Sequence, residues 1–259
     1  MVVEFAAIND WLAQYILSFC RISGMLMAMV IIGTRAVNPR VRLFLALTIT
    51  VVAAPMIKAS FAVDLFSLSA VFHIVLQTLI GVAIGFISRI VFETFVVAGQ
   101  VIAMQTGLGF ASLVDQNTGV SVPTLGQMFV MMATLIFLAI DGHLKLIEII
   151  VMSFETLPIN ESEYFFINLN RLIEWTSLMF STAFMMVLSA IVALLVMNLS
   201  LGVMTRSAPQ LNIFAVGFPI MTVVGMTIIW FLLKSFLPHF IAQIEQGQSL
   251  ACELLFTEC

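Results

Sequence analysis

Charged side chains are scarce in this sequence, so each one inside an apolar run is a candidate for chemistry. Arg21 interrupts the apolar stretch 11–33, and Arg89 and Glu93 stand four apart between two more uncharged runs. An ionisable group at membrane depth is costly and by default marks a function or a partner. For Arg21, snorkelling or a pair with another subunit ranks ahead of a proton relay. Gradient-driven carriers place acids deep in several helices, and this chain has almost none. Arg89 and Glu93 share a helix face and pair weakly. His73, His143 and His239 lack the His, Cys or Asp neighbours at helical spacing that would hold a metal. Cys20, Cys252 and Cys259 are too few and too scattered for a disulfide framework or a zinc site. No His-Glu-x-x-His, Gly-x-Ser-x-Gly or phosphate loop occurs, so neither enzymatic activity nor a cofactor is expected.

Glycine supplies the other signal. Gly107-Leu108-Gly109 has the beginning of a dinucleotide loop but lacks the preceding strand and the third glycine. Two glycines beside Phe110 in an apolar hairpin fit a movable constriction better, because a hydrophobic narrowing closes a pore by dewetting. Gly99, Ala103, Gly107 and Ala111 recur every four positions, and Gly81 and Gly85 form a shorter pair. Such rows let another helix backbone approach closely. Packing within the chain and packing against other subunits are both open at this point. The abundant methionines fill irregular gaps, and a minority could line a deformable seal.

The elements that position these residues are membrane helices. The chain is 62% hydrophobic and 9% charged, far from the roughly 25% charged residues of a soluble domain. Uncharged runs cover 65–88, 94–114, 116–140, 175–205 and 207–233, against the ~20 residues a span requires. A net charge of -4 with no basic tract excludes nucleic acid as a partner. The N-terminus lacks the positive start of a signal peptide, so 11–33 reads as a retained first segment.

Arg35, Arg40 and Arg42 place the first loop in the cytoplasm, and Arg206 does the same for the loop after 175–205. Residues 43–57 then run outward to a turn flanked by Lys58 and Asp64, and 65–88 return inward to Arg89. The acid-rich stretch 141–174 suits the outer side. This leaves one run too many between Arg89 and Asp141. The expected exception is 94–114, with Gly99, Gln100, Gln105, Thr106, Gly107 and Gly109, followed by Asp115 and Gly119. Irregular polar backbone at membrane depth must face protein or a cavity. The expectation is an all-α integral membrane protein, one domain over 1–259, with about six hydrophobic spans, a Gly-rich re-entrant segment and a polar tail over 239–259.

Two stretches carry a resemblance: 105–119, and Arg206-Ser207-Ala208-Pro209-Gln210-Leu211-Asn212-Ile213-Phe214-Ala215-Val216-Gly217-Phe218-Pro219. With Arg21, the Arg-rich first loop and the spacing of apolar runs, they resemble the FliR family of flagellar type III export-gate membrane proteins, related to injectisome export subunits. The resemblance spans essentially the whole chain. It implies a FliP-like part over 1–174 and a FliQ-like helical hairpin over 175–238. Implied partners are FliP, FliQ and FlhB, with FlhA and the basal-body ring nearby. The implied location is the bacterial inner membrane, in contact with lipid and with unfolded flagellar subunits in transit. It further implies a channel plug over 107–122, with Gly107, Gly109, Phe110, Asp115 and Gly119. Gly99, Ala103, Gly81, Gly85 and Arg21 would serve subunit packing. A cytoplasmic turn would hold Arg206, Pro209, Gln210, Asn212, Phe214, Gly217 and Pro219. Relatives often carry proline after the plug aspartate, where this chain has Gln116. The competing reading is a secondary transporter or channel for a small solute, supported by the broken Gly-rich segment.

Overall fold

A computed structural model describes residues 2–57, 67–110, 112–114, 121–207 and 213–256. The first helix, α1, spans Val2–Ala28, and α2 spans Pro39–Ala53. Between them Asn38 caps α2 by accepting from the Arg40 N–H at 3.0 Å, with Pro39 in the first helical turn. Both choices suit a helix start, where the first N–H groups have no partner in the helix. Arg42 braces the loop by donating to the carbonyls of Ile32 and Thr34, at 3.1 and 2.9 Å. At the far end of the pair Gln14 donates to the Ala54 and Ile57 carbonyls, at 2.6 and 3.0 Å. Lys58 and Asp64, the expected outer turn, lie outside the described residues.

The next helix departs from expectation. Most of run 65–88 and the first part of run 94–114, read as separate segments, belong to one helix of 38 residues, α3, at Leu68–Gln105. Arg89 is exposed on its surface and does not end it. At 1.5 Å per residue α3 is about 57 Å long, well beyond the ~30 Å hydrocarbon core. The surplus run between Arg89 and Asp141 therefore disappears.

After α3 the chain forms a 3-10 turn at Leu108–Phe110 and two short strands, β1 at Ser112–Val114 and β2 at Ser121–Pro123. They pair antiparallel, Ser112 opposite Pro123 and Val114 opposite Ser121. This pair is the exception to an otherwise helical chain among the described residues. Helices α4 (Thr124–Ala139), α5 (Gly142–Thr156), α6 (Leu169–Ser207) and α7 (Ile213–Leu255) complete the chain, with a 3-10 stretch at Ile159–Asn168 before α6. Among the described residues three helices are long and apolar enough to cross a membrane: Leu68–Gln105, Tyr164–Ser207 and Gly217–Leu255.

The chain divides into two compact units. The first takes Met1–Ile90, Ile140–Thr176 and Ile244–Cys259. In it α1 lies parallel to α3 at glycine contacts. A methyl group on Gly24 would sit 2.6 Å from the Thr78 carbonyl oxygen, one on Gly81 would collide with the Arg21 carbonyl, and one on Gly85 with the Met25 carbonyl. The end of α7 also belongs to this unit. Residues 239–259, expected as a polar tail, instead continue the helix to Leu255 and bury Leu250, Ala251, Cys252, Leu254 and Leu255. Asn168 donates to the Glu253 carbonyl at 2.8 Å. Cys252 is disulfide-bonded and Cys20 is free.

The second unit takes Val91–Ala139 and Ser177–Gln243. Its core is aromatic. Phe95 packs on Phe236 and Phe240 at centroid distances of 5.0 and 5.2 Å, and Phe92 meets Phe137 and Phe240 edge-on at 5.5 and 5.7 Å. Phe129 meets Phe236 at 5.3 Å. Buried rings in these geometries add about 0.5–1.5 kcal/mol per pair beyond their area. That packing flanks Pro238, which sits inside α7 without ending it. A second cluster, Leu194, Leu201 and Met221 with Met197 and Val224, joins α6 to α7 as an antiparallel hairpin.

The glycine contacts give a paired expectation. Gly81→Ala forces α1 and α3 apart and costs about 1–3 kcal/mol by overpacking. Gly202, in α6 with nothing within 4 Å of a new methyl, should tolerate alanine or gain about 0.5–1 kcal/mol from helix propensity. Thermal unfolding of the detergent-purified variants checks both signs.

Candidate functional site

Two places concentrate the residues singled out from sequence. The first is Arg21, which is fully buried. Its Nε donates to Gln77 Oε1 at 2.6 Å. Its Nη1 donates to the Ser153 carbonyl at 2.9 Å and to Ser153 Oγ at 3.0 Å, and its Nη2 to the Leu157 carbonyl at 2.9 Å. The guanidinium also lies 4.3 Å from the centroid of the Phe154 ring. All these partners are neutral.

Their position explains how a cation survives there. Helix α5 ends at Thr156, Leu157 is its C-cap, and Pro158 follows. The last carbonyls of a helix lack intrahelical donors and carry roughly half a negative charge. Arg21 supplies donors to that end in a fixed planar fork, which a lysine ammonium cannot reproduce. Expected at a subunit contact, Arg21 instead uses its donors within its own chain and has no exposed surface. Ser18 Oγ and Gln77 Nε2 are buried without a hydrogen-bond partner among the described residues.

The second place is the end of α3. Thr106 is fully buried, and its hydroxyl donates to the carbonyls of Ile102 and Ala103, at 3.0 and 3.2 Å. Gly107 has φ +78°, the left-handed conformation that ends helices and favours glycine. A methyl group on Gly107 would lie 3.0 Å from the Phe218 ring, and one on Gly109 would lie 3.3 Å from Met104 Cα. Phe110 closes the 3-10 turn. Asp115 and Gly119 lie outside the described residues.

The other small residues serve contacts within the chain. Gly99 faces Gly126 of α4, whose Cα would be 2.7 Å from a new methyl, and Ala103 is fully buried. Gly81 and Gly85 face α1, as described above. In the expected cytoplasmic turn, Arg206 stands exposed in the last turn of α6, where a cation suits the helix dipole. Pro209, Gln210 and Asn212 lie outside the described residues. Phe214, Gly217 and Pro219 fall in the first turns of α7. Sequence reasoning missed Gln77, Ser153, Gly24, Gly126 and Gly225. Gly24, three residues after Arg21 on one helix face, was the detectable one.

These features define a helical membrane protein with a glycine-bounded turn and hairpin at one helix end. The model of the family described as bacterial export proteins, family 1, matches residues 12–247. The chain belongs to that family, as the FliR kind of flagellar biosynthetic protein. It is 37% identical to flagellar biosynthetic protein FliR of Escherichia coli (strain K12) over 252 residues, 96% of this chain and 90% of that one. The FliR of Pectobacterium carotovorum subsp. carotovorum is 34% identical over 86% of this chain and 85% of its own length. That of Bacillus subtilis (strain 168) is 28% identical over 88% and 92%.

Replacing Arg21 tests the cap. Arg21→Met removes the donor to the Leu157 carbonyl and to the Gln77 amide oxygen, while the Ser153 carbonyl keeps the Leu157 N–H, and unsatisfied buried groups cost about 1–3 kcal/mol each. Arg21→Lys should fall between parent and Arg21→Met. Thermal unfolding and limited proteolysis near residues 157–168 should rank the three in that order.

Proposed function

We propose that this chain is a non-enzymatic subunit of the flagellar type III export gate in the bacterial inner membrane, forming part of the channel that unfolded flagellar subunits cross. Family membership supports the setting. The observation that carries the assembly role is the length of the apolar surface on α6. Exposed apolar side chains run from Ile173 through Leu178, Phe184, Leu188, Val192, Leu195 and Leu199 to Met204. At 1.5 Å per residue that row is about 46 Å long, against a hydrocarbon core of ~30 Å. Lipid tails alone do not cover it, so other protein surfaces must.

FliP and FliQ are the proposed neighbours along it, with FlhB, FlhA and the basal-body ring completing the surroundings. The 1–174 part takes the FliP-like place and the 175–238 hairpin the FliQ-like one. Joining 65–88 and 94–114 into α3 lets six crossings alternate, with α5 outside, and keeps Arg35, Arg40, Arg42 and Arg206 on the cytoplasmic side. Residues 107–122 then act as the constriction, with Gly107, Gly109, Phe110, Asp115 and Gly119 in it. The turn from Arg206 to Gly217 faces the cytoplasmic partners. Energy comes from those partners, because this chain's proposed work is opening, closing and sealing.

Co-expression with FliP and FliQ should give, in native mass measurements, one large detergent-solubilised species with a single copy of this chain. Deleting residues 107–122 should leave that species assembled but make membranes carrying it leak ions. A free monomer under the same conditions overturns the assembly reading, and a tight membrane after the deletion overturns the constriction.

A further inference from the structure

The end of α3 is held by one face of α7. A methyl group on Gly225 would collide with Thr106 Cγ2 and lie 2.8 Å from Thr106 Cβ. Thr106 cannot turn away freely, because it is fully buried and its hydroxyl is engaged by the carbonyls of Ile102 and Ala103. One residue later Gly107, at φ +78°, rests against the Phe218 ring. Phe218 and Gly225 are seven apart in α7, which on a helix of 3.6 residues per turn puts them on one face. That face therefore meets both the first buried side chain after α3 and the left-handed glycine that follows it. The 3-10 turn at Leu108–Phe110 and strand β1 follow within a few residues.

We propose that Thr106, Gly225 and Phe218 are positioning residues for the constriction: their contact sets the direction in which the chain leaves α3. Displacement of α7 at its first turns, next to the turn at 206–217, is thereby transmitted to the hairpin. This rests on the gate reading above. The physical basis is steric. No side chain separates α7 from Thr106 at Gly225, so a shift of α7 toward α3 moves the α3 terminus instead of being absorbed by a flexible side chain. Packed elements respond to small shifts by moving between discrete arrangements.

The test uses the complete assembled complex and reads two quantities, the amount of complex by native mass and the ion leak of membranes carrying it. Gly225→Ala adds the colliding methyl. Overpacking of this size is worth roughly a tenfold shift in a two-state equilibrium, so the leak should change by about that factor while assembly stays at the parental level. Thr106→Ser removes Cγ2, the nearest atom, but keeps the hydroxyl and the Cβ at 2.8 Å, so Gly225→Ala/Thr106→Ser should return part of the way to the parental leak. A merely structural contact would lower the amount of complex and leave the leak per complex unchanged, and that result overturns the proposal. If Gly225→Ala prevents assembly, Phe218→Ala, which removes the ring from Gly107 without adding bulk, takes its place: altered leak supports the coupling and parental leak defeats it. A leak on deletion of 107–122 combined with a parental leak in these variants defeats this inference alone. A tight membrane after the deletion defeats the gate reading itself.

Discussion

Helices surrounded by hydrocarbon gain little from the hydrophobic effect when they associate, so their contacts depend on how closely the backbones can approach. In this protein that constraint falls on α3. Its Gly81 and Gly85 accept the backbone of α1, and its Gly99 accepts Gly126 of α4. The first contact has a consequence beyond packing. With the Arg21 carbonyl seated on Gly81, the side chain of Gln77, one turn earlier in α3, comes within 2.6 Å of the Arg21 Nε. The rest of the guanidinium is then directed to the end of α5. Close approach of two helices thus creates the polar pocket that orders a third.

Burying an unpaired cation is severely unfavourable, and Arg21 escapes that by being solvated with dipoles. The end of a helix provides aligned carbonyls that need donors, and a guanidinium needs acceptors in a plane. Each settles the other's deficit. A carboxylate partner would attract more strongly, but it would also have to be stripped of water. Neutral helix-end acceptors avoid that second desolvation. The arrangement therefore favours a structural role over proton transfer.

Periodicity carried much of this in the sequence. The four-residue spacing of Gly81 and Gly85 announced a close contact, the long apolar runs announced membrane helices, and Arg21 stood out as a misplaced charge. What acts on Arg21 was hidden, because two of its acceptors are backbone carbonyls and any residue type provides those. The continuity of α3 was hidden for a related reason. Arg89 and Glu93 resembled a boundary by charge, yet one exposed arginine on a helix of about 57 Å costs little where the helix outruns the hydrocarbon. Proline removes one N–H and disfavours a helix interior by about 3 kcal/mol, yet α7 continues through Pro238, with Phe236 and Phe240 buried on either side of it. Gly225 had no small neighbour at four-residue spacing, so nothing in the pattern separated it from ordinary helix glycine.

The distribution of burial sorts the long helices. Half of the most apolar window of α3 is buried within the chain, whereas in both α6 and α7 only 28% is. An apolar helix left open by its own chain has two possible surroundings, lipid or other protein, and length decides between them. Lipid covers about 30 Å. A side-chain row longer than that must tilt strongly, expose apolar surface to water, or be covered by protein. Tilting a row of about 46 Å into the core would need an angle near 50°, beyond the 0–40° range seen for membrane helices. Both helices of the hairpin are equally open to surroundings other than their own chain, whereas α3 carries more of the contacts within the chain.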